Sequence, residues 1–256
     1  MIKFFRKIRQ KLLSENKFSK YLIYAIGEIV LVVLGILIAL QLNNLNEEKR
    51  THIKQENYLA LIKQEMANNL KTLKADHKTL TSVIESDRTL LDLMPDNKKI
   101  DSINEIDLSK LISYAFSKSF SVNFENGALT ELISSGSLKD TENDSIRGLL
   151  SSWDGKIHGL KEQEKSVMAK LSRVHNFIET NGNRRTLFDQ TYASDYFKIK
   201  NYSISESNKP LLKSRVFQNI LLVHLGTSIL LDKMYLNFEK DIVSLVGSIE
   251  EELESK

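Results

Sequence analysis

"YLIYAIGEIVLVVLGILIALQL", residues 21–42, is apolar almost from end to end, with one carboxylate, Glu28, and one amide, Gln41, near its end. A hydrocarbon core about 30 Å thick is crossed by about 20 apolar residues in a helix. The stretch meets that length and is apolar on every face, whereas a surface helix of a soluble protein keeps a polar side. Residues 21–42 therefore read as a transmembrane helix. A cleaved signal peptide has an apolar region of about 7–15 residues followed by small residues at the cleavage point. Here the run passes into "IALQLNNLNEE", so we expect an uncleaved signal anchor crossing the membrane once.

The flanks orient it. Lys3, Arg6, Lys7, Arg9, Lys11, Lys17 and Lys20 precede the run against one acid, Glu15; after it, Glu47, Glu48 and Glu56 accompany Lys49, Arg50 and Lys54. The excess of Lys and Arg before the run puts the N-terminus in the cytoplasm and everything from about Asn43 outside it. Residues 1–20 alternate Phe4, Phe5, Ile8, Leu12 and Leu13 with bases. They read as a basic amphipathic segment suited to an anionic leaflet, or as a topogenic signal and nothing more.

The segment "KYLIYAIGEIVLVVLGILIALQLNNLNEE" resembles the N-terminus of a family of uncharacterised single-pass membrane proteins of Gram-negative bacteria. These have a basic start followed by a G-E-I-x-L-V-V-x-G-I-L-I-A-L-type helix. Gly27, Glu28, Gly35 and Ala39 match that pattern, and Leu45-Asn46-Glu47 stands where members often have Trp-Asn-Glu. The close match covers residues 1–47; beyond it, "ALTELISSGSL" and the helices around it are similar only loosely. The resemblance implies an inner-membrane protein with a helical outer part, and it implies no activity.

The rest of the chain reads as helix. With 2 Pro and 10 Gly in 256 residues, turn punctuation is too sparse for many short strands. Leu59, Ile62, Met66, Leu70, Leu73, Leu80, Ile84 and Leu91 recur at threes and fours, with lapses at His77 and near Asp87. Ile146, Leu150, Trp153, Ile157, Leu160, Val167, Leu171, Val174 and Ile178 do the same, lapsing at Glu164. Val216, Ile220, Val223, Leu230, Met234, Phe238, Leu245 and Ile249 do so with lapses near Thr227 and Asp241. Such seams specify helices packed at shallow angles, within one chain or as a coiled coil between chains. A second segment, residues 106–116 and 127–135, is interrupted by "SFSVNFENG" and reads as a broken helix.

"MPDNKK" at 94–99, "SSGSLKDTEND" at 134–144 and "NGNRR" at 181–185 are the breaks. Thr141 or Asn143 is the candidate cap of the third helix, and Pro210 fits the first turn of the last. The expected architecture is all-α. One transmembrane helix leads into an elongated, largely antiparallel bundle of about four helices, with the 94–105 turn and the 181–209 loop at one end. The expected division is 1–20 cytoplasmic, 21–42 transmembrane and 43–256 extracytoplasmic.

Little in the chain points to chemistry. There is no Cys, hence no thiolate or cysteine metal site. His52, His77, His158, His175 and His224 include no i, i+4 pair. His77 reads as a buried histidine with Asp76 or Glu164 as partner. No phosphate-binding or nucleophile-elbow motif occurs, and a net charge of +3 does not argue for nucleic acid. We therefore expect no catalytic residue, no metal and no cofactor.

Two places draw attention. An acid in a spanning helix is costly, on the order of 2.5–3.5 kcal/mol at the centre. Glu28 lies about 10 Å in along the axis from Tyr21, and Gly35 and Ala39 follow on nearly the same face as a small-x-x-x-small pair. Glu28, Gly35 and Ala39 read as a contact with another transmembrane helix; a tolerated acid or part of a proton path are the alternatives. The loop 181–209 is long for a bundle connection and carries Arg184, Arg185, Tyr192 and Tyr196. These residue types suit a binding surface but also a cap of buried rings. The functional expectation is a non-enzymatic periplasmic interaction or scaffold domain. Its partners would be membrane lipid and either its own copies or another membrane protein. The alternative is a sensor-like ligand-binding domain that signals through a separate membrane protein.

Overall fold

The computed structural model describes residues 18–191, 193–200 and 206–255. Its regular elements, among those residues, are all helical. They are α1 (Phe18–Leu93), α2 (Asn97–Ser102), α3 (Glu105–Phe116), α4 (Gly127–Ser134), a 3-10 turn (Ser137–Asp140), α5 (Asp144–Asn181), α6 (Arg184–Asp189), α7 (Ala193–Phe197), α8 (Lys209–Leu212) and α9 (Arg215–Glu254). The chain divides into two compact units, 1–57 and 58–256.

In the first unit, α1 continues as helix through Asn43-Asn44. Its apolar stretch is a candidate membrane span, and none of its most apolar window is buried. Leu22, Ile29, Leu34, Leu37, Leu40 and Leu45 are all exposed. Most of the basic segment 1–20 lies outside the described residues.

In the second unit, α5 and α9 pair Asn143 with Glu252, Lys156 with Asp241, Gln163 with Thr227 and Phe177 with Phe217. One number rises as the other falls, so the helices are antiparallel. The part of α1 beyond residue 58 runs antiparallel to α9 in the same way, through Lys63–Glu250, Lys74–Glu239, His77–Asp232 and Asp87–His224. The return between α1 and α5 is the expected broken helix. Ser, Asn and Val between Ser117 and Asn126 favour non-helical backbone, and the chain there carries no helix. Its buried backbone needs partners and takes them from side chains. The Val122 N–H donates to Glu164 Oε1 at 3.1 Å. Asn69 and the backbone of Glu125 exchange two bonds of 2.7 and 2.8 Å.

The α5 seam is buried at every expected position, and Glu164 fills the lapse. On α9 the expected seam is displaced in its first half. Phe217, Leu221, His224, Ser228 and Leu231 are buried, while Val216, Val223 and Leu230 are exposed. A count of apolar residues passes over His224 and Ser228 and so settles one position away. Asn143 caps α5, accepting from the N–H groups of Ser145 and Ile146. Pro210 sits in the single turn α8, not in the last helix, which starts at Arg215 under a Ser214 cap. Gly136, at φ 72°, makes the turn after α4, in a conformation open to glycine. The 94–105 and 181–209 connections meet: Glu105 accepts from Ser207 and from the Asn208 N–H, and Lys213 pairs with Asp101.

Candidate functional site

The core of the second unit is two apolar clusters. One holds Leu73, Ile84, Trp153, Val167, Leu231 and Tyr235; the other holds Leu90, Phe116, Leu171, Phe217 and Leu221. Along α1 the division falls between Ile84 and Leu90, and along α9 between Leu221 and Leu231. Asp87, His224 and Ser228 stand in those intervals, all fully buried. The His224 Nδ1–H donates to Asp87 Oδ2 over 2.7 Å. Asp87 Oδ1, His224 Nε2 and Ser228 Oγ find no partner among the described residues. Burial pushes the Asp87 carboxyl above the ordinary carboxylate range, with the His224 bond opposing.

A second polar group lies on the first cluster's side. Glu164 Oε1 accepts from the Tyr235 hydroxyl at 2.7 Å as well as from Val122. Burial raises Glu164, against those two bonds. Burial, then Glu164 itself, pushes the Tyr235 hydroxyl far above its usual value. His77 bonds neither Asp76 nor Glu164; its Nε2 meets Asp232 Oδ1 at 2.8 Å, and its ring lies edge-on to Tyr235. No cluster of three or more residues suited to a metal ion occurs among the described residues.

Beside the boundary between the clusters, α3, α5 and α6 enclose a cavity of about 660 Å³. Ile112, Phe116, Met168, Leu171, Ile178 and Leu187 give it an apolar floor; Lys110, Lys118, His175 and Arg184 also line it. His175 donates through Nε2 to the Phe116 carbonyl at 2.7 Å, closing the end of α3. The Phe116 ring then meets His224 edge-on at 5.8 Å. One phenyl ring thus separates the cavity from the buried Asp87–His224 pair.

The sequence-predicted loop residues divide. Arg184 pairs with Glu179 and lines the cavity. Arg185 is held by Asp189 through Nε at 2.9–3.0 Å and by the Lys200 carbonyl. Tyr196 is exposed and edge-on to Phe197, whose ring meets Phe188. Tyr192 lies outside the described residues. Glu28 is half-buried, and Gly35 and Ala39 are exposed on α1. The His224 layer and the cavity were missed. The lapses near Asp87 and Thr227 were the available signal for the layer.

The fold and site define an all-α protein with one candidate membrane span and a helical domain holding a buried polar layer and an adjacent cavity. The chain belongs to a family of unknown function, DUF6090, whose model matches residues 28–156, half of its length. The match includes Asp87 and the cavity's α3 wall but ends before Glu164, His175 and His224. No curated protein and no solved structure matches the chain.

Proposed function

We propose that this is a single-pass inner-membrane protein of a Gram-negative bacterium, anchored by an uncleaved helix over residues 21–42. Its N-terminus faces the cytoplasm and its helical domain the periplasm. The domain, a bundle of three long helices and one broken one, serves interaction or scaffolding and not catalysis. The observation that carries this reading is exposed apolar surface. Between Leu22 and Leu42 apolar side chains are exposed on every face, and lipid satisfies such a helix. On α9, Val216, Val223 and Leu230 recur every seven residues and are exposed, the spacing of a coiled-coil seam. We assign that row to a second copy of the chain, with Glu28, Gly35 and Ala39 as the contact between membrane helices.

Three measurements test it. Protein in native membranes should resist alkaline extraction, and in spheroplasts added protease should digest the domain; a freely extracted chain ends the anchoring reading. Val223→Lys with Leu230→Lys should abolish crosslinked dimers while leaving the melting temperature unchanged. Crosslinks unaffected by that pair remove the α9 row, and a crosslinked species containing a different membrane protein replaces self-association with a hetero-complex.

A second reading, a ligand-sensing domain signalling through a membrane partner, is favoured by the cavity and by Phe116, which lines it and touches His224. His224 joins α9 to α1 through Asp87. An occupant that moves Phe116 would act on two long helices at once.

A further inference from the structure

We propose that the cavity between α3, α5 and α6 binds a small amphipathic anion, a molecule with one apolar tail and one carboxylate or phosphate head. This rests on the ligand-sensing reading and gives it a chemistry. The volume, about 660 Å³, falls within the ~300–1,000 Å³ of small-molecule sites. Its floor is side chains of Ile112, Phe116, Met168, Leu171, Ile178 and Leu187, which suit an apolar tail and nothing charged. The charged residues lining it are Lys110, Lys118 and Arg184, and no Asp or Glu is among them. Lys110 and Lys118 are exposed and make no ion pair among the described residues, so both remain available to a ligand. Arg184 shares its charge with Glu179. The end of α3 would oppose an anion through its carbonyls. His175 removes part of that opposition by donating to the Phe116 carbonyl. Ser113, Ser117 and Gln190 add hydroxyl and amide donors to the wall. A cationic head would meet like charges at the mouth, and a neutral one would leave two lysines without gain.

The test uses the full chain in nanodiscs of zwitterionic phosphatidylcholine and a decanoate carrying a diazirine on its tail, with labelled residues mapped by mass spectrometry. Residues 22–45 take label from the bilayer regardless. The proposal expects additional label in 108–119, 168–178 and 184–191, displaced by excess decanoate and not by decyltrimethylammonium. Lys110→Glu with Lys118→Glu should weaken that label about tenfold, a difference of about 1.4 kcal/mol. Both positions are on the surface, and an unchanged melting temperature verifies the fold. Competition by lysophosphatidylglycerol as strong as by decanoate supports the proposal with membrane lipid as the source; competition by decanoate alone supports it with free fatty acids. Cavity label displaced equally by the trimethylammonium amphiphile overturns the anion while ligand binding stands. Label confined to 22–45 overturns both.

Discussion

Helix α1 passes through two chemical regimes. Between Leu22 and Leu45 it exposes apolar side chains all around; between Leu59 and Leu90 it buries one face, including Ile62, Met66, Leu73, Leu80, Ile84 and Leu90, and exposes the opposite one. The backbone is helical throughout, so local propensity does not distinguish the two. The distinction lies in where apolar side chains can leave water. In the second stretch they meet α5, α9 and the returning chain; in the first the described residues offer no cover. A helix apolar on every face is stable only in a medium apolar on every side. The second stretch shows the converse: it admits Asp87 into its buried face because His224 is there to bond it.

That difference is sharpest at Asp87. Removing one member of a buried hydrogen-bonded pair strands the other and costs about 1–3 kcal/mol, rising to about 3–5 kcal/mol where the stranded group is charged, whereas replacing both by apolar residues of similar size is often neutral or better. His224→Leu should therefore destabilise the domain by that amount in denaturant unfolding, and Asp87→Leu with His224→Leu should recover most of it. A double variant as unstable as the single would mean that the layer is held by more than this pair.

The next effect sets the two stretches side by side. Leu73 is fully buried and Leu34 about half exposed. Leu73→Ala should cost about 2–5 kcal/mol through lost contacts and the cavity left behind. Leu34→Ala should leave the domain's unfolding unchanged. If Leu34→Ala lowers that unfolding as Leu73→Ala does, the apolar stretch is packed against protein and the membrane reading is in error.

A third change concerns the end of α5. A Cβ on Gly182 would stand 2.9 Å from Asn208 Oδ1, 3.0 Å from Leu211 Cδ1 and 3.1 Å from the Ile178 carbonyl. Asn208 is itself buried, bonding Asn183 at both N–H and C=O. Gly182→Ala should cost about 1–3 kcal/mol by overpacking, while the same change at Gly155, where nothing lies within 4 Å, should be nearly neutral or slightly stabilising. Equal effects at both would show that the 181–209 connection gives way freely.

Much of this architecture could be read from residue order. Apolar spacing located the buried face of α5 at every position, because that face has only one polar member, Glu164. Sparse Gly and Pro located the breaks, and the Ser- and Asn-rich 117–126 stretch marked the interrupted return. Apolar spacing loses the buried face where the core is polar. On α9 the buried face includes His224 and Ser228, so a search for apolar residues found Val216, Val223 and Leu230 instead, and these face outward. The partner of His77 was likewise wrong, because Asp232 lies 155 positions away and nothing in sequence order joins them. The cavity was illegible for the same reason. Its wall is assembled from α3, α5 and α6, and only the packing brings those lysines and apolar residues to one place.

The smallest effect is a matter of slope. Burial raises the folded-state pKa of Glu164 above its unfolded value, so the native state holds a proton that the unfolded chain has released. Stability from this group is full below the unfolded pKa, about 4.3, and is lost as pH rises through the folded one. Asp76, raised by burial, acts in the same direction. Glu164→Gln mimics the protonated form and keeps an oxygen to accept from Tyr235 and Val122. The difference in melting temperature, variant minus wild type, should therefore grow more positive from about pH 4 to about pH 8, the direction set by linkage. The exposed Glu162, pulled below its usual range by Lys165, should give the opposite and weaker trend when changed to Gln. A Glu164→Gln difference that stays flat would mean that the bonds from Tyr235 and Val122 fully offset the burial of its charge. The core of α5 would then tolerate an ionised carboxylate there without loss.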